Sequence, residues 1–186
     1  MWPRWRNWQT RQLEGLVGFG LCWFESSPGQ WFLNKPIMLK TVGYMLTWTT
    51  YGSWLQGDER GYVKDGRILH GDKELVALCE KFQKEHTVKL THNEKDIVRL
   101  AILNEAERIG QTVEALAVCS NHIHLVSRYF PEPIGRTVSR FKNVAAAALR
   151  SDGRAGRVWT RGFDKRFCFD QQDLIRRIQY VNNHNR

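Results

Sequence analysis

Between Thr91 and Arg128 the chain has few ways to fold. THNEKDIVRLAILNEAERIG opens on a Thr-x-x-Glu capping box and closes on Gly110, which predicts a helix with Ile97, Leu100, Ala101 and Ala106 on its apolar stripe. TVEALAVCS, 112–120, reads as a strand, Asn121 suits a turn, and HIHLVSRY reads as a further strand. Around this unit VGYMLTWTT, 42–50, is β-branched and aromatic, and predicts an earlier strand. YGSWLQGDERGYVKDG reads as a Gly- and Asp-rich loop, and residues 72–84 as a helix. PIGRTVSRFKNVAAAALRS, 133–151, is a basic amphipathic helix, and SDGRAGR a turn or loop. VWTRGFDKRFCF, 158–169, is a strand or short hairpin. QQDLIRRIQYVNNHNR is a terminal helix with Asp170 or Asp173 near its start. The economical arrangement is an α+β sandwich of the split βαβ kind, with a central antiparallel sheet and helices packed on one side.

Residues 1–37 are unlike the rest. MWPRWRNWQTRQ holds three tryptophans in eight positions, and SSPG and Asn34-Lys35-Pro36 then break the chain. This segment is expected to be an extension ahead of one domain over 38–186, a poorly ordered tail or an overlong start rather than the alternative of a basic, aromatic nucleic-acid arm. Composition bounds what that domain does. Lys and Arg outnumber Asp and Glu by 28 to 19, a net charge of +9, which favours a polyanionic partner. From Arg128 to Arg186 there are 13 basic and 5 acidic residues, a balance of +8. Cys22, Cys79, Cys119 and Cys168 are far apart and lack zinc spacing, which fits idle thiols in a reducing cytoplasm. No apolar run is long enough to span a membrane.

In a strand over 122–128 the side chains alternate, so His122 and His124 share one face with Val126 and Arg128, while Ile123, Leu125 and Ser127 take the other. Two imidazoles two residues apart can converge on one metal ion, or be two unrelated polar residues on a solvated face. The histidine-triad nucleotide hydrolases need a further histidine where Val126 stands. Amidohydrolases need a barrel of ~250 residues. A third group comes from the terminal helix. At ~100° per residue, Leu174, Ile175, Ile178 and Val181 form one stripe, and Tyr180 lies roughly 150° from its centre. His184 follows one turn later on Tyr180's face, and Arg176 and Arg177 flank it. A tyrosine nucleophile, a histidine ligand and phosphate-neutralising arginines suit attack on a phosphodiester, and the alternative is a surface tyrosine beside solvated arginines.

The ordered set MLTWTTYGSWLQGDERG, SNHIHLVSR, the basic helix after it, VWTRGFDKRF and RRIQYVNN resembles the HUH single-tyrosine transposases, including their REP-associated branch, over residues 38–186. The resemblance implies a ferredoxin-like palm. It implies Tyr180 as the nucleophile that attacks a single-stranded DNA phosphate and leaves a 5′-phosphotyrosine and a free 3′-hydroxyl. It implies His122 and His124 as ligands of Mg²⁺ or Mn²⁺. His184 stands where the family often has a glutamine as third ligand, with Asn183 an alternative. Mg²⁺ comes from the resemblance alone, because imidazole-rich sites prefer other metals.

GDERG, 57–61, is either a phosphate cradle or a tight loop closed by a salt bridge to Arg60, and the loop is the reading taken. Trp48 and Trp54 are either core residues or stacking platforms for unpaired bases. Arg128, Arg136, Arg140 and Lys142, with Arg176 and Arg177, are the expected DNA contacts. The expected protein is therefore a cytoplasmic, metal-dependent DNA strand transferase acting on single-stranded or hairpin DNA, as a monomer or homodimer, with no membrane partner. The rivals are a catalytically silent DNA-binding module and a phosphohydrolase with no covalent step.

Overall fold

The computed structural model describes residues 40–64 and 67–185. The expected extension over 1–37, with Cys22 inside it, lies outside the described residues. In chain order the elements are β1 (Gly43–Thr49), β2 (Tyr62–Lys64), β3 (Arg67–Leu69), α1 (Lys73–Lys81), α2 (His92–Ile109), β4 (Val113–Val118), β5 (His122–Arg128), α3 (Ile134–Ser151), β6 (Asp164–Cys168) and α4 (Gln171–Asn182). A 3-10 turn, Asn183–Asn185, ends the described chain. The main sheet has the order β4-β5-β1-β6 and is antiparallel throughout. Counted along the chain its strands lie second, third, first, fourth, the ferredoxin-like arrangement expected of a split βαβ pattern.

The helix ends obey their local chemistry. In α2 the Thr91 side chain accepts from the Glu94 amide, and Glu94 accepts from the Thr91 amide at 2.8 Å. Gly110 closes the helix at φ 74°, a left-handed conformation that glycine adopts without strain. Asp170, rather than Asp173, caps α4 by accepting from the Asp173 amide at 2.7 Å.

The sheet is covered on both faces, which corrects the expectation of helices on one side. Tyr44, Leu46, Trp48, Ile123 and Leu125 join Val98 and Ile102 of α2 and Phe141 and Leu149 of α3 in the main core. The opposite face carries Met45, Ala115, Ala117 and Val126, and α4 lays Leu174 and Val181 on it. The alanines leave room for that helix. Gly43 matters for the same reason: a Cβ there would stand 2.6 Å from the Ser127 carbonyl oxygen and 3.0 Å from Leu174 Cδ1.

Four further details differ from the sequence reading. β2, at the end of the expected loop, pairs with β3 just beyond it as a small hairpin, and the Asp65-Gly66 dipeptide between them in the sequence is a hairpin signal. The buried positions of α2 are Val98, Ile102, Glu105 and Ala106, and Leu100 is 61% exposed. IVRLAIL is apolar on several sides at once, so its period does not pick out the core face. In α4 Ile175 leaves the stripe for solvent. Residues 158–169 are no hairpin: Trp159 makes an isolated bridge to Thr50, and only β6 joins the sheet, on β1. Cys79, Cys119 and Cys168 are free thiols, as expected. Among the described residues no helix is long and apolar enough to cross a membrane.

Candidate metal and nucleophile centre

The pleat of β5 sends Ile123 and Leu125 into the main core and His122 and His124 to the face under α4. His124 is buried there and His122 half-buried. Tyr180 on α4 and His184 in the 3-10 turn come down on the same spot. Ring centroids are 4.7 Å apart for His122 and His124, 5.0 Å for His124 and His184, and 6.3 Å for His122 and His184. The Tyr180 ring lies 5.5 Å from His124 and 4.6 Å from His184. The four residues that strand alternation and helical phase single out thus converge from β5, α4 and the 3-10 turn that follows it.

Each imidazole is oriented through Nδ1. His122 Nδ1 meets Asn121 Oδ1 at 2.8 Å, and His184 Nδ1 donates to the Tyr180 carbonyl at 2.9 Å. His124 Nδ1 meets Thr47 Oγ1 at 2.8 Å, across the register pair Thr47–His124 of β1 and β5. At His122 and His184 the oxygen accepts, which leaves Nε2 as the basic nitrogen, and at His124 the Thr47 hydroxyl can donate or accept; such contacts are the usual outer support of a metal-bound histidine. The three ligand atoms lie within 4.8 Å of one another. This donor set could hold a divalent ion, and as an all-nitrogen set it suits a transition metal better than Mg²⁺.

Burial governs the charges. It pushes the His122 imidazole down to about 4 and His124 down to about 2, helped by the neighbouring histidines. Both are neutral at neutral pH, the form that binds metal. Their folded values lie below the unfolded value of 6.5, so the stability they lend is complete above that pH and is lost as pH falls toward 4. Metal-free protein is accordingly expected to show a falling melting temperature between pH 6.5 and 4, and His122→Asn or His124→Asn a shallower fall. Calorimetric scans across that range measure both. The Tyr180 hydroxyl is raised by burial, and Arg166 and Arg177 oppose the rise.

Arg166 and Arg60 are the residues that sequence reasoning passed over. A cavity of about 260 Å³ opens beside the histidines, with Thr49, Trp54, Arg60 and Arg166 in its wall. Arg166 reaches it because β6 places Arg166 opposite Met45, and its Nε donates to Asp164 at 3.2 Å. The available signal was the two-residue alternation of Asp164, Arg166 and Cys168 on the face shared with Thr47. The GDERG loop is closed as expected, with Arg60 donating to both Asp58 carboxylate oxygens at 2.6 and 2.5 Å.

The expected DNA contacts are distributed differently. Arg177 tucks its Nε inward, while Arg176 faces solvent and pairs with Asp173 at 3.2 Å. Arg128 pairs with Glu114. Arg136 and Arg140 share Glu132, at 3.8 and 3.2 Å, and Arg140 also stands 4.0 Å from Glu105. Lys142 is turned inward, donating to the carbonyls of Thr160 and Gly162 at 3.0 and 2.5 Å.

No protein-family model matches the chain, and no curated protein matches it either. Two solved structures are similar in fold. A REP-associated tyrosine transposase bound to a REP hairpin is 11% identical with a TM-score of 0.49, over 84% of this chain and 70% of that one. A Deinococcus radiodurans R1 protein for which a transposase role is suggested is 18% identical with a TM-score of 0.39, over 86% of this chain and 98% of that one. Both are likenesses of overall fold, and neither transfers a residue role to this chain.

Proposed function

We propose that this protein is a cytoplasmic DNA strand transferase of the HUH single-tyrosine kind, which cleaves and rejoins single-stranded DNA beside a hairpin. The observation that carries the reading is the convergence of His122, His124 and His184, with ligand atoms within 4.8 Å of one another, against the ring of Tyr180. Tyr180 Oη attacks the scissile phosphorus as its proton passes to water. The bond to the 3′-oxygen breaks, that oxygen takes a proton, and a 5′-phosphotyrosine remains. A 3′-hydroxyl attacking the phosphotyrosine reverses the step, restores a phosphodiester and frees Tyr180, so no external energy source is needed. His122, His124 and His184 would hold the divalent ion, Mn²⁺ in preference to Mg²⁺ on the chemistry of three imidazoles. When bound, the ion polarises the scissile phosphate. Arg60 and Arg166, in the wall of the adjoining cavity, balance the phosphate charge.

The test is to incubate the protein with hairpin-bearing single strands and Mn²⁺, then look for a protein–DNA species that survives denaturation. A chelator and Tyr180→Phe should each remove it. Hydrolysis of the strand with no trapped adduct would favour a phosphohydrolase instead.

The surface arginines supply a second measurement. Arg136 is exposed, so it can exchange Glu132 for phosphate at small cost, whereas Arg140 and Glu132 are half-buried and their pair is costlier to break. Affinity for single strands is expected to fall steeply with salt, and Arg136→Gln with Arg140→Gln to weaken every sequence alike by about tenfold while flattening the slope. Anisotropy titrations at several salt concentrations measure this. An unchanged slope would remove both residues from the DNA path.

A further inference from the structure

Two cavities share a wall. The larger, about 260 Å³, holds His122, His124, Arg60 and Arg166. The smaller, about 120 Å³, is lined by Trp48, Trp54 and Phe163, with Thr49, Thr160 and Arg161 at its polar edge. Thr49 and Trp54 line both, so the two are neighbours. The larger brings together two cations and two imidazoles beside one shared indole, and the smaller brings together three aromatic rings beside one cation, a pairing that matches the phosphate and the base of a nucleotide.

The walls of the smaller cavity are held before anything enters. Trp54 Nε1 donates to the Gly61 carbonyl at 3.0 Å. Arg60, which lines only the larger cavity, lies 4.0 Å from the indole centroid and is itself tied to Asp58 and to the Ser53 carbonyl at 3.1 Å. On the far side Lys142 holds the carbonyls of Thr160 and Gly162, and the Thr160 and Thr49 hydroxyls bond at 2.8 Å. A planar group entering such a slot gives up little beyond its own freedom. A cavity of about 150 Å³ takes benzene. The smaller cavity therefore suits one six-membered ring better than a fused purine.

We propose that this smaller cavity is a base-binding subsite, which takes one unstacked pyrimidine of the strand whose phosphate lies in the larger cavity. The inference rests on the larger cavity being a phosphodiester site. The pyrimidine stacks on the aromatic walls, and the Thr49 and Thr160 hydroxyls meet its polar edge.

The test uses the full chain carrying Tyr180→Phe, in EDTA, so neither cleavage nor metal enters. Fluorescein-labelled abasic strands of about ten residues carry no base, one central thymine or one central adenine. The thymine strand is expected to bind about 5- to 150-fold tighter than the base-free strand, and the adenine strand close to the base-free one. Phe163→Leu, on a wall that only the smaller cavity has, should bring the thymine strand down to the base-free value and leave base-free binding unchanged, and Trp54→Ala, which also borders the larger cavity and Arg60, should weaken the thymine strand more than the base-free strand. Equal affinity for the thymine and base-free strands would overturn the subsite, as would variants that weaken all three strands alike. An adenine strand that binds as tightly as thymine would overturn the pyrimidine assignment. If Trp54→Ala does not fold, Phe163→Leu and the thymine ratio of the parent protein decide alone. A protein that forms the covalent adduct yet shows no base preference loses only this subsite, and one with the preference but no adduct loses only the strand-transfer reading.

Discussion

Tyr180→Phe is expected to lower covalent adduct formation by on the order of 10⁴-fold or more, and to change single-strand affinity by less than about twofold. The substitution removes one oxygen and keeps the ring that packs on His124 and His184. Packing, and with it the seating of α4, is therefore preserved, so a lost adduct reports lost chemistry. The pH profile separates a nucleophile from a bystander. Burial raises the Tyr180 hydroxyl, which is thus a phenol at neutral pH, and cleavage by the wild type should climb with pH as the phenolate fraction grows. Arg166 and Arg177 oppose the rise electrostatically, so on the proposed reading they would favour the phenolate. Denaturing gels of trapped adduct across a pH series check both statements. Adduct retained in the Phe variant would move the nucleophile elsewhere.

The parts of this site that local periodicity controls were legible in the sequence. His122 and His124 share a face because a strand repeats every two residues, and Tyr180 and His184 come together because α4 runs directly into the 3-10 turn that holds His184. Pairing those faces needs only that α4 lie on the histidine side of the sheet. There the sequence was silent, and helices were expected on one side only. What decides it is the apolar set Met45, Ala115, Ala117 and Val126 between the polar groups of that face. Arg60 and Arg166 were illegible for a similar reason. Each reaches the cavity through a tertiary placement, one by a loop tied to Asp58, the other by the register of β6 on β1. The charges of α3 were plain in the sequence, but their partners were not: Glu105 lies on α2, and Lys142 points inward at a distant loop. In α2 the run IVRLAIL offered several apolar faces, and packing against α3 and the sheet selected Val98 and Ile102 over Leu100.

His184→Ala is expected to weaken Mn²⁺ binding about 10- to 100-fold and to lower cleavage in step at limiting metal, with DNA affinity nearly unchanged. His184 sits where two roles are open to it. Its Nδ1 donates to the Tyr180 carbonyl, a bond that also tidies the C-terminal end of α4. One of its ring nitrogens belongs to the set that meets His122 and His124 within 4.8 Å. A cap and a ligand respond differently to substitution. Loss of a cap lowers the melting temperature of metal-free protein and leaves metal affinity alone. Loss of a ligand lowers metal affinity, and added metal then restores cleavage. His184→Gln separates them further, because its amide oxygen can ligate and favours Mg²⁺ over Mn²⁺ relative to the imidazole it replaces. The expected order of cleavage at limiting Mn²⁺ is wild type, then His184→Gln, then His184→Ala, with the gap between the first two narrowing in Mg²⁺. Calorimetric metal titrations of the three proteins, each paired with a thermal scan in EDTA, measure the two roles separately. A His184→Ala protein that binds Mn²⁺ like the wild type and merely melts earlier would reduce His184 to a helix cap, and would leave the ion on His122 and His124 with Asn183 or water completing its shell.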